Sequence, residues 1–198
     1  IIVLNVYNER LLRLLAETQI PKVFLDTSSL VAPDELNGDL LLMESRTSVR
    51  RITCHLLEQG RTLPGFIGDI SYAQSNRERY EGFCQALADA GKKVDSSLCL
   101  TTPLGIDTYR EEIDTFLSSL SRMPDAFVCA SDYVACILMQ LLEKRGLRVP
   151  EDVAVSGFDN NTEDLLAEHL TTVQVFNEEL GARPVSYTHL RAHETDQY

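Results

Sequence analysis

Apolar and polar positions along this chain fall into short blocks whose period switches back and forth between two and 3.6. Residues 1–5 open on Ile-Ile-Val-Leu, a strand, and residues 9–18 place Leu11, Leu12, Leu14 and Leu15 at helical spacing before Pro21. Residues 23–25 predict a second strand, closed by the turn chemistry of Asp26, Thr27, Ser28 and Ser29. After a loop from Pro33 to Gly38 come a strand over 40–43 and a helix over 48–59, with Val49, Ile52 and Leu56 on one face and Gly60 as its stop.

The same alternation continues downstream. Strands are predicted at 66–67, 98–100, 126–130, 153–155 and 172–175. Helices are predicted at 77–90, 109–120, 133–145 and, in short form, 163–168, with the first turn of another after residue 175. Gly91 and Gly146 follow two of these helices, and Ser131 and Asp132 stand where the cap of the 133–145 helix belongs. Strands with unbroken apolar runs, alternating with helices, predict an α/β fold of parallel sheets covered by helices on both faces.

Composition narrows the picture. The 198 residues are 44% hydrophobic and 24% charged, the balance of an ordinary globular chain. No apolar run reaches the roughly 18 residues of a membrane span, so no membrane contact is expected. The formal charge of −12 opposes a phosphate backbone, so these residues are not expected to grip nucleic acid themselves. Cys54, Cys84, Cys99, Cys129 and Cys136 are odd in number and lie in apolar segments without paired spacing, which predicts reduced thiols and a cytoplasmic address. The opening at Ile1, directly on a strand, reads as a cut from something longer.

Ligands of open parallel sheets sit beyond the carboxyl ends of the strands. The residues there are Asn5, Asp26, Glu44, Asp69 to Tyr72, Ser131 with Asp132, and Asp159 with Asn160. Asp, Asn and Ser also favour turns and caps for their own reasons. As a set, these amides, hydroxyls and carboxylates suit a hydroxylated small molecule. Catalytic and nucleotide motifs are missing: there is no G-x-G-x-x-G, no G-K-[ST] loop and no G-x-S-x-G. His189 and His193 have helical i, i+4 spacing without an intervening Glu, so neither a metal site nor a cofactor is expected. No nucleophile–base pair can be assembled, and an enzyme is not predicted.

Several stretches together resemble the LacI/GalR family of transcriptional regulators. Gly65-Phe66-Ile67-Gly68-Asp69 followed by Ser75, Arg79, Gly82 and Phe83 is similar to that family's "FIG…S-x-x-R-x-x-GF" block. Ala126-Phe127-Val128-Cys129-Ala130-Ser131-Asp132 is similar to "AIFAAND", and the run from Gly146 to Asp159 resembles "GLRVPEDISVVGFDD". Leu170-Thr171-Thr172-Val173 matches "LTTV", and the His55 to Gly60 stretch resembles "HLIELGH". These matches keep their order along the chain to Gly181.

The resemblance implies an effector-sensing, periplasmic-binding-protein-like domain: two lobes joined by three crossovers, with a sugar or similar small polar metabolite bound between them. Residues 1–62 with 171–181 would form an N-terminal lobe with an incomplete sheet, and 63–170 the C-terminal lobe. Residues 182–198 resemble foreign sequence and are set aside. Operator DNA would be bound, as a homodimer, through a helix-turn-helix headpiece absent from this chain. Carried over residue by residue, Arg79 matches the arginine that reaches effector hydroxyls, and Asp159 the first Asp of "GFDD". Tyr72, Asp26, Glu44 and Asn5 join them from the strand ends. Departures include Ser131 in place of the "AND" asparagine, Asn160 for the second Asp, and Glu44-Ser45 and Gly60-Arg61 where the family differs. The effector therefore cannot be carried over from a relative. The alternative is a solute-binding protein of a sugar transport system.

Overall fold

The computed structural model describes residues 1–105, 107–160 and 170–176. The helix predicted at 163–168, the one begun after 175, His169, His189, His193 and the segment 182–198 lie outside the described residues. Two parallel sheets organise the chain. The first takes β1 (Ile2–Leu4), β2 (Val23–Leu25) and β3 (Asp39–Leu41) in that spatial order. Helix α1 (Glu9–Glu17) joins β1 to β2, its first turn capped by the Asn8 side chain, which accepts from the Leu11 amide at 3.0 Å. A short 3-10 turn over Pro33–Leu36 joins β2 to β3.

The second sheet has the order β5–β4–β6–β7, built from β4 (Pro64–Ile67), β5 (Cys99–Leu100), β6 (Ala126–Cys129) and β7 (Ala154–Ser156). Helices α2 (Arg46–Glu58), α3 (Gln74–Asp89), α4 (Tyr109–Ser119) and α5 (Asp132–Lys144) surround it. Strand periodicity decides which side chain goes to which face. Phe66, Ala126, Val128, Ala130 and Ala154 pack beneath α2 and α3, against Val49, Leu56, Phe83 and Leu87. The alternate residues Ile67, Phe127, Cys129 and Val155 pack beneath α4 and α5, against Ile113, Leu117, Leu138 and Leu142. A sheet buried on both sides explains why its strands read as continuous apolar runs rather than alternating ones. None of the five cysteines is in a disulfide, and Cys129 and Cys136 are buried. Among the described residues no helix is long and apolar enough to cross a membrane.

Several boundaries differ from the sequence reading by a residue or more. Helix α2 begins at Arg46 rather than 48, and α3 at Gln74 rather than 77, because Glu44 and Asp26, outside each apolar stripe, accept from the first-turn amides. The strand expected over 172–175 is present only as isolated parallel bridges, Ser156 to Thr171 and Asp159 to Gln174. Val49 and Leu56 of α2 pack in the core of the second sheet. The first sheet's core is Val3, Leu12, Phe24, Val31 and Leu36, so it ends before α2.

Helices α2 and α3 touch most closely at Gly82, where a Cβ would overlap the Arg46 carbonyl and crowd the Arg50 amide. Ion pairs Arg46–Glu81 and Arg50–Asp89 flank this contact, the second at 2.6 Å. Both are solvent-exposed and of small worth, so the close approach rests on the missing side chain. Gly82→Ala is expected to lower the unfolding free energy by about 2 kcal/mol, the cost of overpacking a tight contact. It should be read as a drop in urea midpoint at unchanged slope; an unmoved midpoint would show that the two helices have slack.

Candidate functional site

Backbone strain and polar side chains coincide at the strand ends. Asn5 (φ 53°) follows β1, Asp26 (φ 63°) follows β2, and Asp159 (φ 106°) and Asn160 (φ 51°) close the turn after β7. Side-chain-bearing residues rarely hold positive φ, and Asn and Asp tolerate it best. Such conformations cost of order 1 kcal/mol or more each and gather at binding sites. Asn5, Asp26 and Asp159 all line one cavity of about 300 Å³.

That cavity lies between the two sheets. From the first come Asn5, Tyr7, Leu25, Asp26 and Met43; from the second come Asp69, Tyr72, Arg79, Ser131 and Asp159. The two walls are joined at one corner. Ser28 and Ala73 form an antiparallel bridge, and the Gln74 amide donates to the Thr27 carbonyl at 2.8 Å. Asp26 Oδ2 accepts from Ser75 Oγ at 2.6 Å, and Oδ1 accepts from the Thr27 amide at 2.8 Å and the Ser75 amide at 3.3 Å. Ala73, the residue preceding α3, has no side chain able to cap that helix. Asp26 does so from the other lobe, setting a negative charge on the positive end of the α3 dipole.

Arg79 forms the floor. It is only 4% exposed, in the second turn of α3. Nη1 donates to the Ala130 carbonyl, Nη2 lies 3.5 Å from Asp159 Oδ1, and Cζ sits 3.7 Å from the centre of the Phe158 ring. Its buried Nε has no protein partner among the described residues. Burial pulls the guanidinium pKa down, and Asp159, Asp26, Tyr7 and Asp132 pull it back up. Asp159 moves the other way: burial pushes its carboxyl up to about 6, Arg79 resists, and Asp132 adds to the rise. Tyr7 extends toward Asp26 Oδ2 at 3.4 Å and packs on Tyr72 with ring centroids 4.3 Å apart. Its hydroxyl pKa is raised, first by burial and then by Asp26.

Six of the seven residues expected from sequence, Asn5, Asp26, Tyr72, Arg79, Ser131 and Asp159, therefore line a common cavity. Glu44 does not. Its carboxylate turns to the start of α2, where Oε2 accepts from the Ser48 amide at 3.0 Å and Ser48 Oγ at 2.6 Å, and Oε1 from the Thr47 amide. Burial pushes that carboxyl up, but these bonds outweigh it and hold the pKa below the ordinary value. A carboxylate two residues before the first helical residue is taken by the helix. Ser131 serves twice, as cavity wall and as cap of α5, its Oγ accepting from the Val134 amide at 3.3 Å. Tyr7, Met43, Ser75, Asn76 and Tyr109 were not singled out from sequence yet also line the cavity. Tyr7 lies three residues past β1, within reach of the rule that marked Asn5.

Comparison with known proteins places this geometry. The sequence matches the family described as periplasmic binding protein-like domain over residues 53–195, a span that runs into the segment 182–198. It is 31% identical over 170 residues to the HTH-type transcriptional regulator DegA of Bacillus subtilis, covering 85% of this chain and 48% of that protein. Against the HTH-type transcriptional repressor PurR of Pasteurella multocida it is 28% identical over 193 residues, covering 96% of this chain and 56% of the relative. The chain thus spans about half the length of the curated relatives it matches. Among solved structures, the transcriptional regulator CelR–cellobiose complex superposes with a TM-score of 0.77 at 26% identity, covering 94% of this chain and 57% of that one. A LacI-type transcription regulator from Bifidobacterium animalis superposes with a TM-score of 0.73 at 25% identity, covering 93% and 68%.

The raised pKa of Asp159 has a signed consequence. An ordinary aspartate titrates at roughly 4, so between that pH and about 6 the folded chain holds a proton that the unfolded chain has lost. Unfolding then releases a proton, and stability falls as pH rises through this window. The stability advantage of Asp159→Asn over the parent is expected to grow across the window and to level off above it. Urea midpoints of both proteins measured side by side would check this; a difference independent of pH would show an ordinary carboxylate.

Proposed function

The chain belongs to the periplasmic binding protein-like domain family, in the form carried by LacI-type regulators, and from that premise we propose that it is the effector-sensing part of a DNA-binding transcriptional repressor. Its cleft holds a sugar or similar small polar metabolite. Occupancy would be passed to a helix-turn-helix headpiece outside these 198 residues, in a cytoplasmic homodimer on operator DNA. One observation carries this reading: a buried guanidinium and a neighbouring carboxylate, Arg79 and Asp159, at the wall of a cavity whose opposite side comes from the other lobe.

The chemistry fits a hydroxylated guest. A guanidinium offers forked donors and a carboxylate offers acceptors, so adjacent hydroxyls can be bracketed between them. The phenol rings of Tyr7 and Tyr72 give such a guest an apolar face to lie against. A structural neighbour, CelR, is a complex with cellobiose, which supports a sugar. The curated relatives are regulators rather than enzymes or transport proteins, so the solute-transport alternative draws no support from them.

Thermal melting against a panel of mono- and disaccharides tests the reading. A ligand present at about 100 times its Kd adds about 2.7 kcal/mol, enough to raise Tm by several degrees. At least one sugar is expected to do so for the parent chain and none for Asp159→Ala, with circular dichroism showing the variant folded. Equal shifts in both proteins would remove the site assignment. For DNA, the net charge of −12 predicts no duplex retardation by this chain alone. A salt-sensitive gel shift would overturn the division of labour.

A further inference from the structure

The charge around the cavity narrows what can enter it. Among the described residues that line it, Arg79 is the one cation, against the carboxylates Asp26, Asp69 and Asp159. That cation is partly engaged, with only its buried Nε lacking a partner among the described residues. Its Nη groups meet the Ala130 carbonyl and Asp159, and its face lies on Phe158. The nearby Arg77 is no substitute, because it does not line the cavity and its Nη2 donates to Ser29 Oγ at 3.3 Å.

The other two carboxylates meet neutral donors, Asp26 accepting from Ser75 Oγ and Asp69 from Ser71 Oγ, both at 2.6 Å. The phenols around the cavity, Tyr7, Tyr72 and Tyr109, each have a raised pKa, first by burial and then by Asp26 or Asp69. An anion entering such a site would be desolvated beside three carboxylates, with a single cation among the described lining residues whose Nη groups are shared with the Ala130 carbonyl and Asp159. A neutral polyol has no such cost and finds phenol, amide and carboxylate partners. An amine-bearing one gains from the carboxylates and from the aromatic faces of Tyr7 and Tyr72.

We propose that the effector carries no phosphate or carboxylate group, and is an uncharged or amine-bearing hydroxylated molecule. This rests on the cleft being an effector site, as argued above. Sugar phosphates and sugar acids are excluded by the wall formed by Asp26, Asp69 and Asp159.

Equilibrium dialysis of the chain against the small-molecule fraction of a bacterial lysate, read by mass spectrometry, tests both levels separately. Compounds enriched by the parent chain and not by Asp159→Ala are expected to be hydroxylated and free of anionic groups. The 6-phosphate or acid form of any enriched sugar is expected to bind at least tenfold more weakly in calorimetry. Asp159-dependent enrichment of a sugar phosphate or sugar acid would overturn this inference while leaving the effector site standing. Enrichment that never depends on Asp159 would overturn the effector site itself, and this inference with it.

Discussion

A guanidinium with almost no access to water is the constraint around which this molecule is arranged. Arg79 cannot be neutralised under ordinary conditions, so every neighbour has to supply charge or dipole. The Ala130 carbonyl does so because β6 ends there, and the Phe158 ring does so with its face. Asp159 does so with its carboxyl, whose acidity burial weakens and Arg79 partly restores. Three separate chain segments, the end of β6, the turn after β7 and the second turn of α3, are thereby held in one place. Those segments are the floor of the cavity, so the interaction that tolerates the buried charge also shapes the cavity wall.

The two lobes are unequal in how they are built. The second sheet buries side chains on both faces, beneath α2 and α3 on one side and α4 and α5 on the other. The first has three short strands over a small core of Val3, Leu12, Phe24, Val31 and Leu36, and leaves Ile2, Leu4, Leu11 and Leu14 exposed. Arg79, Asp159 and Ser131 stand on the well-packed lobe, whereas Asn5, Tyr7 and Asp26 stand on the lighter one. Precision in the site therefore comes from the second lobe.

Much of this was legible in the residues. Strand β6 and the Phe66-Ile67 core of β4 show as apolar runs, because burial on both faces leaves no alternation to misread. Arg79 and Asp159 were found through resemblance, and Asn5, Asp26 and Tyr72 through their place at strand ends. The capping of α3 by Asp26 left no trace in the sequence, since the partners are 49 positions apart and Ala73 gives no sign of what replaces its cap. Glu44 misled for a related reason: a carboxylate at a strand end and one at a helix start are the same residue in the same place, and only geometry shows which neighbour claims it. The packing of α2 on the second sheet was equally hidden, since an amphipathic stripe does not name the sheet it covers.

The cross-lobe cap has a mechanical meaning. If the lobes swing apart about the Thr27–Ala73 corner, the Ser75 amide and hydroxyl lose their acceptor and α3 is left with an open end. Separation thus frays the first turn of the very helix whose second turn carries Arg79. Widening the cavity between the sheets and loosening its floor are then one motion.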